Sequence, residues 1–251
     1  MAIFVLFFRK IRINFPILYW LEKIRIKLPN LRTDLSQADF KGVDLSEANL
    51  SRVELSGADL TQAKLVGVNL IGADLINANL HQANLSFADL SDADLIRADL
   101  TDANLLAARL TQANLLQTNL KDANLTEVDL SQANLAKAHL VGSCLVNANL
   151  SQADLRQADL SQANLTDVNL NAANLRNVRL CGADLTGVKI DDADLRESDL
   201  YGVNLSSVST AQGARFNNNC GIPPQIKQML KEKGSIFDDS SSKDSKSLIC
   251  L

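Results

Sequence analysis

Residues of types that carry chemistry occur throughout this 251-residue chain, but their spacing limits what each can do. Gly182-x4-Gly187 resembles the opening of a phosphate-binding loop, but Lys189 stands one place too late. Such a loop needs backbone N–H groups gathered at a strand-to-helix turn. Here glycine recurs at one phase of a five-residue period, which writes G-x4-G by itself. Asn84-Leu85-Ser86 matches a glycosylation sequon for the same reason, and no secretion-signal pattern accompanies it. The four cysteines, Cys144, Cys181, Cys220 and Cys250, form no CxxC pair and no metal-ligand spacing. They read as reduced thiols. Cys250 is second from the end, so no prenylation box is present. The many aspartates, most of them at one repeat phase, read as outward-facing, with no cleft to desolvate them and turn them into an acid/base pair. The expectation is a protein that is not an enzyme and has no catalytic, cofactor-binding or metal site.

The elements that would have to position such residues are set by composition and period. Hydrophobic content is 46% but aromatic content only 4%, so the core is small and aliphatic. The net charge of −4 divides unevenly: +5 over residues 1–30, −11 over 31–210 and +2 over 211–251.

At every fifth position from Leu35 to Leu205 stands a leucine, except Phe40 and Ile190. Two places earlier the residue is Ala, Val, Thr or Ser, and one place earlier it is most often Asp or Asn. A five-residue step advances about 140° around an α-helix, so the leucines would spiral instead of forming a stripe. On a flat strand, successive leucines would fall on opposite faces. The small residue and the leucine, two apart, can share one inward face. A short extended piece followed by a corner, repeated, satisfies the pattern, and Asp, Asn, Ser and Gly suit the corners. A chain that keeps turning one way becomes a solenoid.

Ala48-Asn49-Leu50, Ala98-Asp99-Leu100 and Ala163-Asn164-Leu165 resemble the A(D/N)LXX motif of the pentapeptide-repeat family. The resemblance spans residues 31–210. It implies an all-β solenoid, a right-handed quadrilateral β-helix with 20 residues per coil. At about 4.8 Å per coil the rod is roughly 40 Å long. His81 and His139 then lie about three coils, or roughly 14 Å, apart, too far to share a metal. Stacked repeats need caps at both ends.

Beyond Thr210 the motif stops. Pro223-Pro224, then Ile226, Met229 and Leu230, and finally Gly234 predict a short amphipathic helix with proline at its start and glycine past its end. Residues 211–237 are therefore expected to hold a C-terminal helical cap, and residues 238–251, rich in Ser, Asp and Lys, a disordered tail. Residues 1–30 carry Phe7, Phe8, Phe15, Tyr19 and Trp20 among basic side chains. Their longest uncharged run, Ile13 to Leu21, falls far short of the ~20 residues of a membrane span. Two readings stand: an aromatic cap over the first coil, or a peripheral contact with an anionic membrane. Helix and strand both fit this segment.

In a 20-residue register, Ile76, Ile96, Leu116 and Ala136 stack as an outward apolar stripe, continued by Arg156, Arg176 and Arg196. Asp154 and Asp194 stand two places before two of these arginines. Phe87 and Leu106 form a second apolar spot, expected on the adjacent face. The stripe with its arginines reads as a partner-docking or homodimer face. The function expected is a cytoplasmic, non-enzymatic scaffold for an unidentified protein partner, membrane-associated if residues 1–30 contact lipid, with no direct nucleic-acid binding. The alternative comes from the family, some of whose members inhibit DNA gyrase by mimicking duplex DNA. Duplex DNA carries roughly 24 charges over ~40 Å, against −11 net here, though Asp34, Glu54, Asp74 and Asp94 fall in one column.

Overall fold

The computed structural model describes residues 34–237. From Asp34 onward each coil lies on the next through parallel backbone bridges between residues twenty apart, beginning with Asp34 to Glu54, Asp39 to Asp59, Asp44 to Lys64 and Asn49 to Asn69. Four bridges per turn make four sides. We number them from residues 34, 39, 44 and 49, and the corners that follow them from residues 36, 41, 46 and 51. Adding twenty moves one coil along the rod on the same side.

The five-residue unit explains itself at each corner. The leucine carbonyl accepts from the N–H three residues on, as Leu35 does from Ala38 at 3.1 Å. The second corner residue has positive φ, 61° at Gln37 and 60° at Glu47, which is the signature of a type II turn. The Asp or Asn before the leucine caps the turn with its side chain: Asp34 Oδ1 accepts from Ser36 N at 2.9 Å, and Asp59 Oδ1 from Thr61 N at 3.0 Å. This geometry accounts for the Asp/Asn preference at that phase, because a short carbonyl-bearing side chain reaches the N–H two residues on.

Inside, leucines and alanines from all four sides form one continuous apolar cluster, with Leu55 through Leu165 essentially inaccessible to solvent. The polar exceptions at the alanine phase bond to leucine carbonyls. Thr118 Oγ1 donates to Leu95 O at 2.7 Å, and Ser143 Oγ to Leu140 O at 2.7 Å. Buried hydroxyls are tolerated because each has an acceptor.

The register changes near the C-terminal end. A 3-10 turn at Leu205–Ser207 adds a residue, so Lys189 bridges Thr210, Asp194 bridges Arg215 and Asp199 bridges Cys220, each twenty-one apart. The ladder thus runs on past residue 210, with Ala211, Ala214 and Phe216 continuing the buried column. Helix α1, Pro224–Glu232, has proline at its start, and Gly234 beyond its end takes φ 89°. Its Leu230 is fully buried in the same cluster. The chain then returns, and β2 (Ile236–Phe237) pairs in parallel with β1 (Arg215–Phe216). The rings of Phe216 and Phe237 stack at 5.0 Å.

Cys144 and Cys181 carry free thiols, whereas Cys220 is disulfide-bonded. This corrects the expectation of reduced thiols throughout. Residues 1–30, with the aromatics Phe7, Phe8, Phe15, Tyr19 and Trp20, and the tail 238–251 lie outside the described residues.

Candidate interaction surface

The first corner carries the predicted docking stripe, and the side chains before it hold each position. Asp74 Oδ1 accepts from Ile76 N at 2.9 Å, Asp94 Oδ1 from Ile96 N at 3.2 Å and Asn134 Oδ1 from Ala136 N at 3.1 Å. The bridges Asp74 to Asp94, Asp94 to Asn114 and Asn114 to Asn134 stack these positions in one column. Ile76, Ile96, Leu116 and Ala136 do follow one another along a single ridge. They are not fully exposed, however. Ile76, Ile96 and Leu116 are half-buried and Ala136 is buried. Side chains stacked about 4.8 Å apart cover one another's flanks, leaving a low apolar ridge with only its crest in solvent.

The arginines that continue the ridge are matched by carboxylates. Arg156 grips Asp154 in a two-point contact, with Nε 2.9 Å from Oδ1 and Nη2 2.6 Å from Oδ2. Arg196 repeats it on Asp194 at 2.7 and 2.5 Å. Arg176 reaches across to Glu197, with Nη2 3.1 Å from Oε1. Burial disfavours the charged forms of Asp154 and Asp194, but hydrogen bonds and charge from Arg156 and Arg196 outweigh it and hold both below the usual carboxylate range. Side-chain exposure falls along the ladder, from 57% at Arg156 through 40% at Arg176 to 23% at Arg196. Arg156 is therefore the arginine best placed to meet a partner.

The sequence pairs Arg156 and Arg196 with their aspartates but misses Glu197. That residue lies at the next coil's corner and is visible only once both the 20-residue step and the corner position are combined. The second apolar spot is misplaced by the sequence reading. Phe87 follows Leu85 on the third side, ten residues from Asn77 and from Arg97 at the first corner. Ten residues are half a coil, so Phe87 and Leu106 occupy the diagonally opposite corner.

The acidic residues Asp34, Glu54, Asp74 and Asp94 stack on the first side through consecutive bridges. Asparagines elsewhere form amide ladders between coils, such as Asn124 Nδ2 to Asn104 Oδ1 at 3.0 Å. His81 lies at the second corner and His139 on the second side, so the structure does not bring them together. Among the described residues, no group of three or more His, Cys, Asp or Glu could hold a metal ion.

A family model for pentapeptide repeats matches the chain in 8 copies, over residues 32–65, 54–86, 63–102, 103–142, 143–180 and 180–209. Among solved structures, the chain is similar to HetL, a pentapeptide repeat protein involved in heterocyst differentiation regulation from the cyanobacterium Nostoc sp. strain PCC 7120. The identity is 30%, with 82% of this chain and 97% of HetL covered and a TM-score of 0.60. The pentapeptide repeat protein alr5209 from Nostoc PCC 7120 matches at 31% identity, over 49% of this chain and 84% of its own, with a TM-score of 0.30. Full-length QnrB1, a plasmid-mediated fluoroquinolone resistance protein, matches at 18% identity over 81% and 98%, with a TM-score of 0.37. No curated protein matches the chain.

Proposed function

The chain belongs to the pentapeptide-repeat family, and on that basis we propose that it is a non-enzymatic interaction rod that binds a protein partner through its first corner. The observation that carries this reading is the continuous column Ile76–Ile96–Leu116, extended by arginines whose charge is already neutralised within the rod. A crest of aliphatic side chains beside hydrogen-bonded, ordered arginines is the composition of an interface centre, where charged groups are few and arginine is enriched. The right-handed sense of the coil and the role of α1 as a lid over its C-terminal end go with this reading. So do a cytoplasmic location and, as alternative uses of the same molecule, a homodimer on the ridge and peripheral membrane contact through residues 1–30. HetL is described as taking part in regulation, which fits a rod that works by binding.

The test is capture of partners from the native host with wild type and Leu116→Glu side by side. The reading expects a partner held by the wild type and lost by the variant; equal retention would count against the ridge.

A second reading rests on the column of Asp34, Glu54, Asp74 and Asp94, four carboxylates on consecutive coils. Such a line favours mimicry of a DNA backbone and inhibition of a type II topoisomerase such as DNA gyrase. A supercoiling assay decides it: inhibition lost in Asp74→Asn/Asp94→Asn supports mimicry, and absence of inhibition by the wild type removes it.

A further inference from the structure

The charges that border the ridge change sign along the rod. Counting coils from Asp34, the first side and first corner of the first four coils carry Asp34, Glu54, Asp74 and Asp94 against Arg97 alone, net −3. In the next four coils they carry Lys137, Arg156 and Arg176 against Asp154, and Glu197 reaches Arg176 from the ninth coil, net +1. The second side keeps the same sense. It holds Asp39, Asp59 and Asp99 and no base in the first four coils, whereas Asp159 in the next four is 3.3 Å from Arg179. The sign changes between Ile96 and Leu116, which is also the midpoint of the apolar stretch from Ile76 to Ala136.

Several of these groups keep bonding capacity to spare. Asp74 gives only Oδ1 to its own turn, accepting from Ile76 N at 2.9 Å, and Asp94 does the same for Ile96 N at 3.2 Å. Lys137 is exposed and has no ion-pair partner among the described residues. Arg156 commits Nε and Nη2 to Asp154, and a guanidinium has further N–H groups with which to meet a second carboxylate.

On the reading that the ridge is the contact surface, we propose that its occupant is a second copy of this chain, laid antiparallel with a two-fold axis between Ile96 and Leu116. A two-fold contact is one patch meeting itself. A coil lying a given number of steps before the axis therefore meets the coil lying as many steps after it. Ile96 meets Leu116 of the second copy, and Ile76 meets its Ala136. Asp74 then faces Lys137 of the second copy, Glu54 its Arg156 and Asp34 its Arg176, and symmetry makes each match twice. The contact spans seven coil steps, about 34 Å. A parallel arrangement would lay the acidic half on the acidic half, and like charges facing each other are costly. Residues 31–210 carry −11 in all, so two rods repel in most sideways arrangements. The antiparallel one brings the bases of each copy to the acids of the other.

The test is sedimentation equilibrium of the full-length protein, with zero-length carbodiimide crosslinking read by mass spectrometry. The wild type should form a dimer that weakens as salt is added, and Leu116→Glu should be monomeric. Within one copy Asp74 and Lys137 stand three coils, about 14 Å, apart along the rod, so a crosslink between them must join two copies. Asp74→Lys and Lys137→Glu should each raise the dissociation constant about tenfold or more, because each sets like charges face to face twice. The double variant exchanges the charges and should return to within about threefold of the wild type. Lysine holds the phase of Asp74 at Lys64 and Lys189, so these variants should fold, which circular dichroism checks. A wild type that is monomeric at every concentration, absence of the 74–137 crosslink, or loss in the single variants without recovery in the double overturns the proposal. A monomeric wild type that still loses a host protein on Leu116→Glu removes the second copy and leaves the ridge in place. A dimer indifferent to Leu116→Glu overturns both.

Discussion

Nη2 of Arg176 lies 3.1 Å from Oε1 of Glu197, one coil further along the rod, while the second oxygen of Glu197 accepts from Asn177 Nδ2 at 3.0 Å. Arg156 and Arg196 pair within their own coils; this contact crosses between coils. Three stacked arginines, which would otherwise repel, are met by three carboxylates. Replacing Glu197 with Gln should cost stability by no more than about 1 kcal/mol, because the pair is partly exposed and screened. It should, however, make unfolding more sensitive to low salt, where the arginines of the column repel over a longer range. Thermal unfolding at two ionic strengths measures both.

Neighbouring leucines have opposite roles. Leu115 is fully buried, whereas Leu116 is half-buried on the ridge. Leu115→Ala should destabilise by about 2–5 kcal/mol, the range for a buried leucine in a packed core. Leu116→Ala should stay within about 1 kcal/mol. Urea unfolding midpoints distinguish them, and equal losses would mean that the ridge is part of the core.

Two glycines should differ sharply on replacement by alanine. A Cβ at Gly42, φ 65°, meets nothing within 4 Å, so Gly42→Ala carries only the left-handed backbone cost of about 1–2 kcal/mol. At Gly221, φ 87°, it would stand 2.7 Å from Leu200 O and from the backbone of Tyr201. Backbone cannot move aside as a flexible side chain can, so Gly221→Ala should lower the unfolding midpoint clearly further. Equal midpoints would show that the C-terminal coil is looser than the structure places it.

Acid should loosen the rod through its corner aspartates. Hydrogen bonds from Ser46 hold the Asp44 carboxyl below its ordinary range, and those from Thr186 do the same for Asp184. At Asp59, Asp129, Asp154 and Asp194, burial raises the pKa but hydrogen bonds to neighbouring groups outweigh it. A carboxyl whose folded value lies below its unfolded value of about 3.9 contributes stability above that pH. The contribution fades as pH falls through the folded value. Stability should therefore be flat from about pH 5 to 7 and drop below about pH 4, and Asp194→Asn should shallow the drop. A loss of stability beginning near neutral pH would contradict this account.

Much of the rod was legible because one residue phase reports one environment. Leucine marks the interior, the preceding Asp or Asn marks the turn cap, and a step of twenty aligns the columns, so the order Ile76, Ile96, Leu116 could be read without coordinates. Exposure could not, since it depends on how stacked neighbours shade one another, and Ala136 proved buried. The diagonal position of Phe87 required counting half a coil. The added residue at Leu205–Ser207 left no trace, because Asn204-Leu205 still obeys the motif and the leucines end there. Glu197 was missed because its contact joins a corner to the preceding coil, a relation that a five-residue window does not contain.

The central claim, that the first corner is where a partner sits, is tested most directly by site-specific photo-crosslinking in the native host. A photoreactive residue replaces Ile96 on the ridge or, as a control, the exposed Gln132 at the fourth corner. The account predicts one discrete crosslinked protein from position 96 that is absent when Leu116→Glu is also present, and no such product from position 132. A product from position 132 with none from position 96 would contradict it and move the working surface away from the ridge.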